Sequence, residues 1–455
     1  MMDRPTSNKH AARPRPSAPI RTRARLHASC CTPLIVGVIA AGWMIAPPSA
    51  CAEGFRNPPA GAANLGRAGG RIAHVDDASA IAQNPANLVD LMTPEFQFAP
   101  SAVYIKVDYT SPGGVTATTG NPWKFLPNLF ISAPLKKDKY AIGLGITTPF
   151  GLSNEWKTSS AAFTNPAAFR YQTPHFAELK TINFNPTFSA RVSKNVTVGA
   201  GLDVFWSELT LKQFYPWAAF PGSAGIEPDG VARLKGDGSG VGANIGVTWQ
   251  MTERQRLAIT YRSPVSVRYG GHLGINNITP TAALLGATPR SDFDTLITFP
   301  SMVSVGYGVQ VTDKIRVESD VEWIQFSKFK SLNLGLGNNA FLFPSTKIAQ
   351  DWKDTSTAGI AGDWKFAPGW TLRGGYQFYQ SPVPDRTFSP TIPDADQHVL
   401  TVGLSYQTGP HTFDLGYGAD FYATRDINND QNPAFNGTYK NTVHLFALSY
   451  RYLFR

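Results

Sequence analysis

The sequence predicts an all-β protein: a transmembrane antiparallel β-barrel of 14 strands with an N-terminal hatch, or plug, inside the lumen. Three observations predict it. Apolar and polar side chains alternate with a period of two, short turns alternate with long connections, and the composition is poor in charge but rich in glycine and aromatics. The 455 residues are 42% hydrophobic, 12% aromatic and only 16% charged, against about 25% charged in an ordinary soluble domain. That balance argues against intrinsic disorder, which needs high charge and few aromatics. A mean hydropathy of −0.17 argues against a bundle of spanning helices, each needing about 20 apolar residues.

The formal charge of +9 is concentrated at the N-terminus. Residues 1–52 hold seven basic side chains (Arg4, Lys9, Arg13, Arg15, Arg21, Arg23, Arg25) and one acid, Asp3. An apolar run between Pro33 and Pro47 follows, and then Ser49-Ala50-Cys51-Ala52. A basic stretch, an apolar stretch and small residues in that order make a secretory signal peptide, with cleavage expected after Ala52. The 41 basic and 32 acidic residues of the whole chain then become 34 and 31, a net +3. Cys30, Cys31 and Cys51 leave with the leader, which removes disulfides and thiolate metal sites from the mature chain. Nucleic acid loses its main support as a partner.

Alternation is clearest in four places. Phe446, Leu448, Tyr450, Tyr452 and Phe454 share one face near the C-terminus, opposite Leu445, Ala447 and Ser449. Ile315, Val317, Val321 and Trp323 alternate with Arg316, Glu318, Asp320 and Glu322. Leu400, Val402, Leu404 and Tyr406 form a third apolar face, and Val241, Ile245, Val247 and Trp249 a fourth. Successive side chains of a strand point to opposite faces, so each segment has one face for lipid and one for a lumen.

Strands are expected near 95–110, 124–135, 139–150, 176–192, 195–213, 231–251, 255–271, 294–311, 314–330, 351–366, 369–380, 397–408, 411–424 and 438–454. Short turns such as Lys136-Lys137-Asp138 and Thr408-Gly409-Pro410 all fall on one side. Connections near 111–123, 151–175, 214–230, 272–293, 331–350, 381–396 and 425–437 fall on the other. Outer-membrane barrels have this asymmetry, and closure is required because hydrocarbon leaves no partner for an open sheet edge. A soluble sandwich or propeller explains the alternation but not the one-sided loops. Residues 53–93 do not alternate. They carry Gly61, Gly66, Gly69, Gly70, Asp76-Asp77 and Asn84-Pro85-Ala86-Asn87, and read as a packed hatch within the barrel 94–455, with a flexible tail as the alternative.

Several motifs, in order, resemble the FadL/TodX family of outer-membrane transporters for long-chain fatty acids and other hydrophobic compounds. They are Asn64-Leu65-Gly66-Arg67-Ala68-Gly69, Asn84-Pro85-Ala86, Leu234-Lys235-Gly236-Asp237-Gly238, Tyr261-Arg262-Ser263, Asp351-Trp352-Lys353-Asp354-Thr355, Leu372-Arg373-Gly374-Gly375-Tyr376 and Ser381-Pro382-Val383-Pro384-Asp385. The resemblance implies capture of a hydrophobic molecule in an outer-loop groove, passage through a plugged lumen, and lateral exit at a kink in the third strand. It places the protein in the outer membrane of a Gram-negative bacterium. There it is expected as a monomer among lipid and lipopolysaccharide, inserted by the barrel assembly machinery. The last strand, ending in Tyr450, Tyr452 and Phe454, resembles the signal that machinery reads, although Arg455 follows it.

Candidate residues follow from chemistry and position. Phe214, Tyr215, Trp217 and Phe220, with Leu284 and Leu285 on the next long loop, would line the groove, or else only pack the loops together. Arg316 and Arg373 face the lumen by parity and would hold a carboxylate, or else pair with luminal acids. Gly143, Gly145 and Pro149 mark the lateral gate, because glycine allows a bend and proline removes a ladder donor. The alternative for each glycine is that it makes room for the hatch. Six histidines remain after the leader, none beside a nucleophile motif, and no metal-binding spacing appears. The reading is therefore not an enzyme, without cofactor, metal or catalytic residue. A general diffusion porin and a structural or adhesive barrel are the competing readings.

Overall fold

A computed structural model describes residues 53–164, 168–337, 347–429 and 431–454, so the expected leader lies outside the described residues. The wall consists of fourteen antiparallel strands. They are β1 (Glu95–Phe98 and Ser101–Thr110), β2 (Trp123–Leu126 and Leu129–Lys136), β3 (Tyr140–Thr147 and Gly151–Glu155), β4 (Phe176–Ser193) and β5 (Val196–Tyr215). There follow β6 (Gly230–Thr252), β7 (Gln255–Arg262 and Val265–Ile275), β8 (Arg290–Phe299 and Met302–Thr312), β9 (Ile315–Ile324) and β10 (Thr355–Ala367). The last are β11 (Trp370–Tyr379), β12 (Gln397–Thr408), β13 (His411–Tyr422) and β14 (Gly437–Leu453). The barrel closes where β1 pairs with β14, from Glu95↔Leu453 to Thr110↔Thr438.

Parity sorts the wall as alternation predicts. Leu400, Val402, Leu415, Phe446 and Leu448 are exposed on the outer face, while Glu318, Asp320, Glu322 and Ser449 are buried. A band of apolar side chains faces hydrocarbon, and the polar groups turn inward where they find partners. Several expected boundaries shift, and the third and seventh strands run on to Glu155 and Ile275. The ninth strand stops at Ile324 and gives way to a short turn of 3-10 helix, Phe326–Lys328; the tenth begins at Thr355; the eighth begins earlier, at Arg290. Gly236, Gly238 and Gly240 lie inside the long β6. Proline interrupts five strands: Pro100 in β1, Pro127 in β2, Pro149 in β3, Pro264 in β7 and Pro300 in β8, since proline cannot donate to a ladder.

Residues 53–93 contain two one-turn helices, Ala62–Leu65 and Ala80–Gln83, and a 3-10 helix, Pro85–Asp90. Most of them, 27 of 41, are buried. Their polar contacts reach strands around the circumference: Ala62 N to Ser449 Oγ of β14, Arg71 N to Asp320 of β9, Asn84 Nδ2 to Thr248 Oγ1 of β6, and Ala86 O from Ser189 Oγ of β4. Such contacts tie the segment to strands on several sides of the wall.

Candidate functional site

The ladder between β2 and β3 is broken. Their lower halves are paired from Lys136↔Tyr140 to Leu129↔Ile146. Above that level, Trp123–Leu126 pairs with β1 and Gly151–Glu155 pairs with β4, and no ladder joins the two. Beyond the break the edges meet again, with Gly120 N to Glu155 O at 2.7 Å and Lys157 N to Thr118 O at 2.9 Å. The cause lies at Thr148-Pro149-Phe150. From Thr147↔Asn183 to Gly151↔Lys180 the chain advances four residues on β3 but three on β4. One extra residue on one strand is a bulge, which bends that strand away from its neighbour.

Pro149 therefore sits in the break itself. Gly143 and Gly145 do not; they lie in the regular ladder opposite Ser132 and Phe130. A Cβ at Gly143 would come within 2.5 Å of Ile81 Cδ1, and one at Gly145 within 3.0 Å of Ile81 Cγ2. Both glycines make room for the N-terminal segment.

The inner side of the break is occupied by the first described residues. Arg56 forms an antiparallel bridge with Phe150. Gly151 N donates to Phe55 O at 2.9 Å, Asn57 N to Pro149 O at 3.0 Å, and Asn57 Nδ2 to Thr148 O at 2.8 Å. The short strip thus satisfies backbone groups that the missing ladder leaves free. Phe55 then enters an aromatic cluster. Its ring is 5.1 Å from Trp352 and 5.7–5.9 Å, edge-on, from Phe150, Phe299, Phe326 and Phe329. Such geometries contribute about 0.5–1.5 kcal/mol per pair beyond burial. Trp352 belongs to the Asp351–Thr355 motif, and the Ser381–Asp385 motif closes on the same place: a Cβ at Gly54 would meet Trp352 at 2.5 Å and Pro382 at 3.1 Å.

Ion pairs hold the segment below that cluster. Glu322 takes Arg56 Nη2 at 3.0 Å on one oxygen and Arg71 Nη2 on the other. Glu318 accepts three successive backbone N–H groups, from Ile72, Ala73 and His74, at 2.7, 2.6 and 3.1 Å. Arg316 and Arg373 are luminal but committed. Arg316 lies 2.6 Å from both Asp76 and Asp363, and Arg373 lies 2.9 Å from Asp363 and 3.6 Å from Asp414. Asn84 Oδ1 accepts from Ala86 N and caps the 3-10 helix begun by Pro85.

Burial pushes the Glu53 carboxyl up to about 7, against the lowering pull of Arg56. Asp394, on the connection before β12, is likewise pushed up by burial to about 6 although Gly54 N donates to it at 2.8 Å.

Among the outer loops, Trp217 is fully buried, with its Nε1 donating to Asn276 O at 2.8 Å. Tyr215, tilted, and Phe220, edge-on, pack against it with centroids 4.6 and 5.6 Å away, and Arg170 lies 3.8 Å over Phe214. Leu284 and Leu285 are 88% and 61% exposed at the end of a short helix, Pro280–Leu284. The structure does not bring them into one lining with Trp217. Sequence reasoning missed the roles of Phe55, Glu322, Arg56 and Arg71. Parity had placed Glu322 inward, but no local pattern shows which arginine meets it.

Residues 44–454 match the model of the family described as outer membrane protein transport protein (OMPP1/FadL/TodX). The long-chain fatty acid transport protein of Salmonella typhi is 25% identical over 430 residues, covering 89% of this chain and 95% of that one. Among solved structures, a Pseudomonas aeruginosa FadL homologue superposes with a TM-score of 0.75 at 22% identity, covering 89% of this chain and all of the other. The toluene transporter TodX of P. putida gives 0.69 at 18% identity over 89% of this chain and all of that one. At these identities the solved structures share the fold.

Proposed function

The chain belongs to the OMPP1/FadL/TodX family of outer membrane transport proteins, and we propose that it carries hydrophobic molecules inward passively, by a sideways route. The observation that supports this most is the break between β2 and β3, lined from inside by Phe55-Arg56-Asn57. A molecule is first held at the apolar surface of the outer loops, where Leu284 and Leu285 are exposed. It then moves to the aromatic cluster around Phe55, and leaves through the break when that strip withdraws. The drive is burial: roughly 0.8 kcal/mol per methylene removed from water.

The substrate class is long-chain fatty acids, as the name of the Salmonella relative states for that protein, or similarly apolar hydrocarbons. Residues 53–93 act as the hatch, and the buried segment opposes an open water-filled pore. The protein works as a monomer in outer-membrane lipid and lipopolysaccharide after insertion by the barrel assembly machinery, without catalysis.

Deleting Thr148 restores equal counts on β3 and β4 and lets the ladder close. Uptake of labelled oleate by cells carrying this variant should fall at least tenfold while the barrel still assembles. Undiminished uptake would remove the lateral route. In planar bilayers the purified protein should conduct poorly; large constant currents would instead indicate a diffusion porin.

A further inference from the structure

Four buried carboxylates gather near the start of the described chain, and three of them have no ion-pair partner among the described residues. Glu53, Asp394, Asp396 and Asp420 are 7%, 5%, 6% and 8% exposed, and only Glu53 is paired, with Arg56. Asp394 Oδ2 accepts Gly54 N at 2.8 Å. Glu53 Oε1 lies 2.6 Å from Arg56 Nη1. Asp396 Oδ1 and Asp420 Oδ1 have no hydrogen-bond partner among the described residues. The cations nearby are spent elsewhere. Arg425 donates to the backbone oxygens of Asp394 and Val383 and pairs with Asp385 at 2.6 Å, and Arg56 and Arg71 converge on Glu322. Tyr379, Tyr422 and Ser381, also close by, bring hydroxyls and no positive charge. Buried carboxylates are costly unless paired with a charge.

The backbone nitrogen of Glu53 is one residue before the nitrogen already bound to Asp394, which sets it within about 4 Å of that atom. We propose that the α-ammonium created at Glu53 by leader removal is the counter-charge of this pocket, seated between Asp394 and Asp420. The proposal rests on cleavage after Ala52. Hydrolysis of the Ala52–Glu53 amide by a signal peptidase consumes one water. The leader departs with the new carboxylate, and the Glu53 nitrogen takes up a proton.

Before cleavage that nitrogen is a neutral amide and carries no charge. Processing supplies the charge that holds the strip Glu53–Asn57 in place. The strip lining the break between β2 and β3 is thereby held by a charge that only the exported, processed chain carries.

The test uses the full protein extracted from outer membranes. Intact mass fixes the first residue, and acetylation of the α-amine by an N-hydroxysuccinimide ester is followed from pH 5 to 10. At pH 7 the rate should be at least tenfold below that of the same amine in the denaturant-unfolded chain. The titration midpoint should lie above the ordinary α-amine value of about 7.7. Asp394→Asn with Asp420→Asn should bring both back toward the unfolded values. The wild-type titration decides the matter by itself if that double variant does not assemble. A midpoint at or below the ordinary value, an unprotected amine, or a first residue other than Glu53 would overturn the proposal. Oleate uptake is a separate readout, so loss of the transport reading would leave this result standing.

Discussion

Arg56 and Arg71 share Glu322: Nη2 of Arg56 lies 3.0 Å from one carboxylate oxygen, and Arg71 donates to the other. A single acid on β9 thus fixes the N-terminal segment at two points fifteen residues apart. Glu322→Ala leaves two buried guanidinium groups without it. Breaking a buried pair costs about 3–5 kcal/mol, so local release of the segment should become at least 100-fold more frequent. Trypsin cleavage after Arg56 or Arg71 in the assembled barrel measures this. An unchanged rate would mean that the backbone contacts of Glu318 suffice.

Phe55→Ala removes the ring around which Phe150, Phe299, Phe326, Phe329 and Trp352 are arranged. The expected loss is about 3–5 kcal/mol in seating the segment, as for other buried phenylalanines. Calorimetric titration with oleate or toluene should show tighter binding, because the ligand no longer displaces the ring. Weaker binding would make Phe55 a wall of the site instead.

Asn84-Pro85-Ala86 docks where β5 and β6 carry glycine. A Cβ at Gly199 would lie 2.3 Å from the Pro85 carbonyl carbon, and one at Gly246 would lie 2.2 Å from Asn84 Oδ1. Gly246→Val should expel this turn while leaving the ladder between β5 and β6 intact. Faster hydrogen exchange confined to residues 84–90, with a barrel that still shifts its gel mobility on heating, is the expected result.

The pocket around Glu53 predicts a pH dependence. Two alanines added before Glu53 in the processed chain displace the ammonium. Burial then holds Glu53 near 7, Asp394 near 6 and, with the Asp394 charge adding to burial, Asp396 near 7. A carboxyl whose folded pKa is raised above its unfolded value of about 4 stabilises the fold at low pH. That contribution is lost as pH rises through the folded pKa. Thermal unfolding of the extended chain should therefore come at lower temperature at pH 8 than at pH 5, with a flatter profile in the native mature chain.

Leu284 and Leu285 are so exposed that changing both to aspartate should alter stability by no more than about 0.5 kcal/mol per site. If they form the first capture surface, initial oleate binding to whole cells should drop severalfold. Unchanged binding would assign capture to other loop residues.

Much of the wall was legible from periodicity. Phe446, Leu448 and Tyr450 face outward and Leu445, Ala447 and Ser449 inward because a strand permits no other alternation. The lumen was less legible. Arg316 stands in sequence beside Glu318 and Asp320, yet its partners are Asp76 and Asp363, while those two acids hold backbone of residues 71–74. Neighbours two apart on a strand share a face but point in parallel, so a charge finds its partner on another strand or on the segment inside.

The sequence by itself determined a closed fourteen-stranded wall with loops on one side, because alternation and turn spacing are local and lipid forbids an open edge. Tertiary structure decided which residues of the third strand make the break and what lies against it. Gly143 and Gly145 read equally as hinges or as room for the N-terminal segment, and a side chain on either would meet Ile81. The bend comes from one surplus residue at Thr148–Phe150 relative to β4, and a register offset exists only between two strands. The same holds for Phe55, whose partners come from β3, β8 and the connections after β9 and before β10; only the closed barrel brings them to one ring.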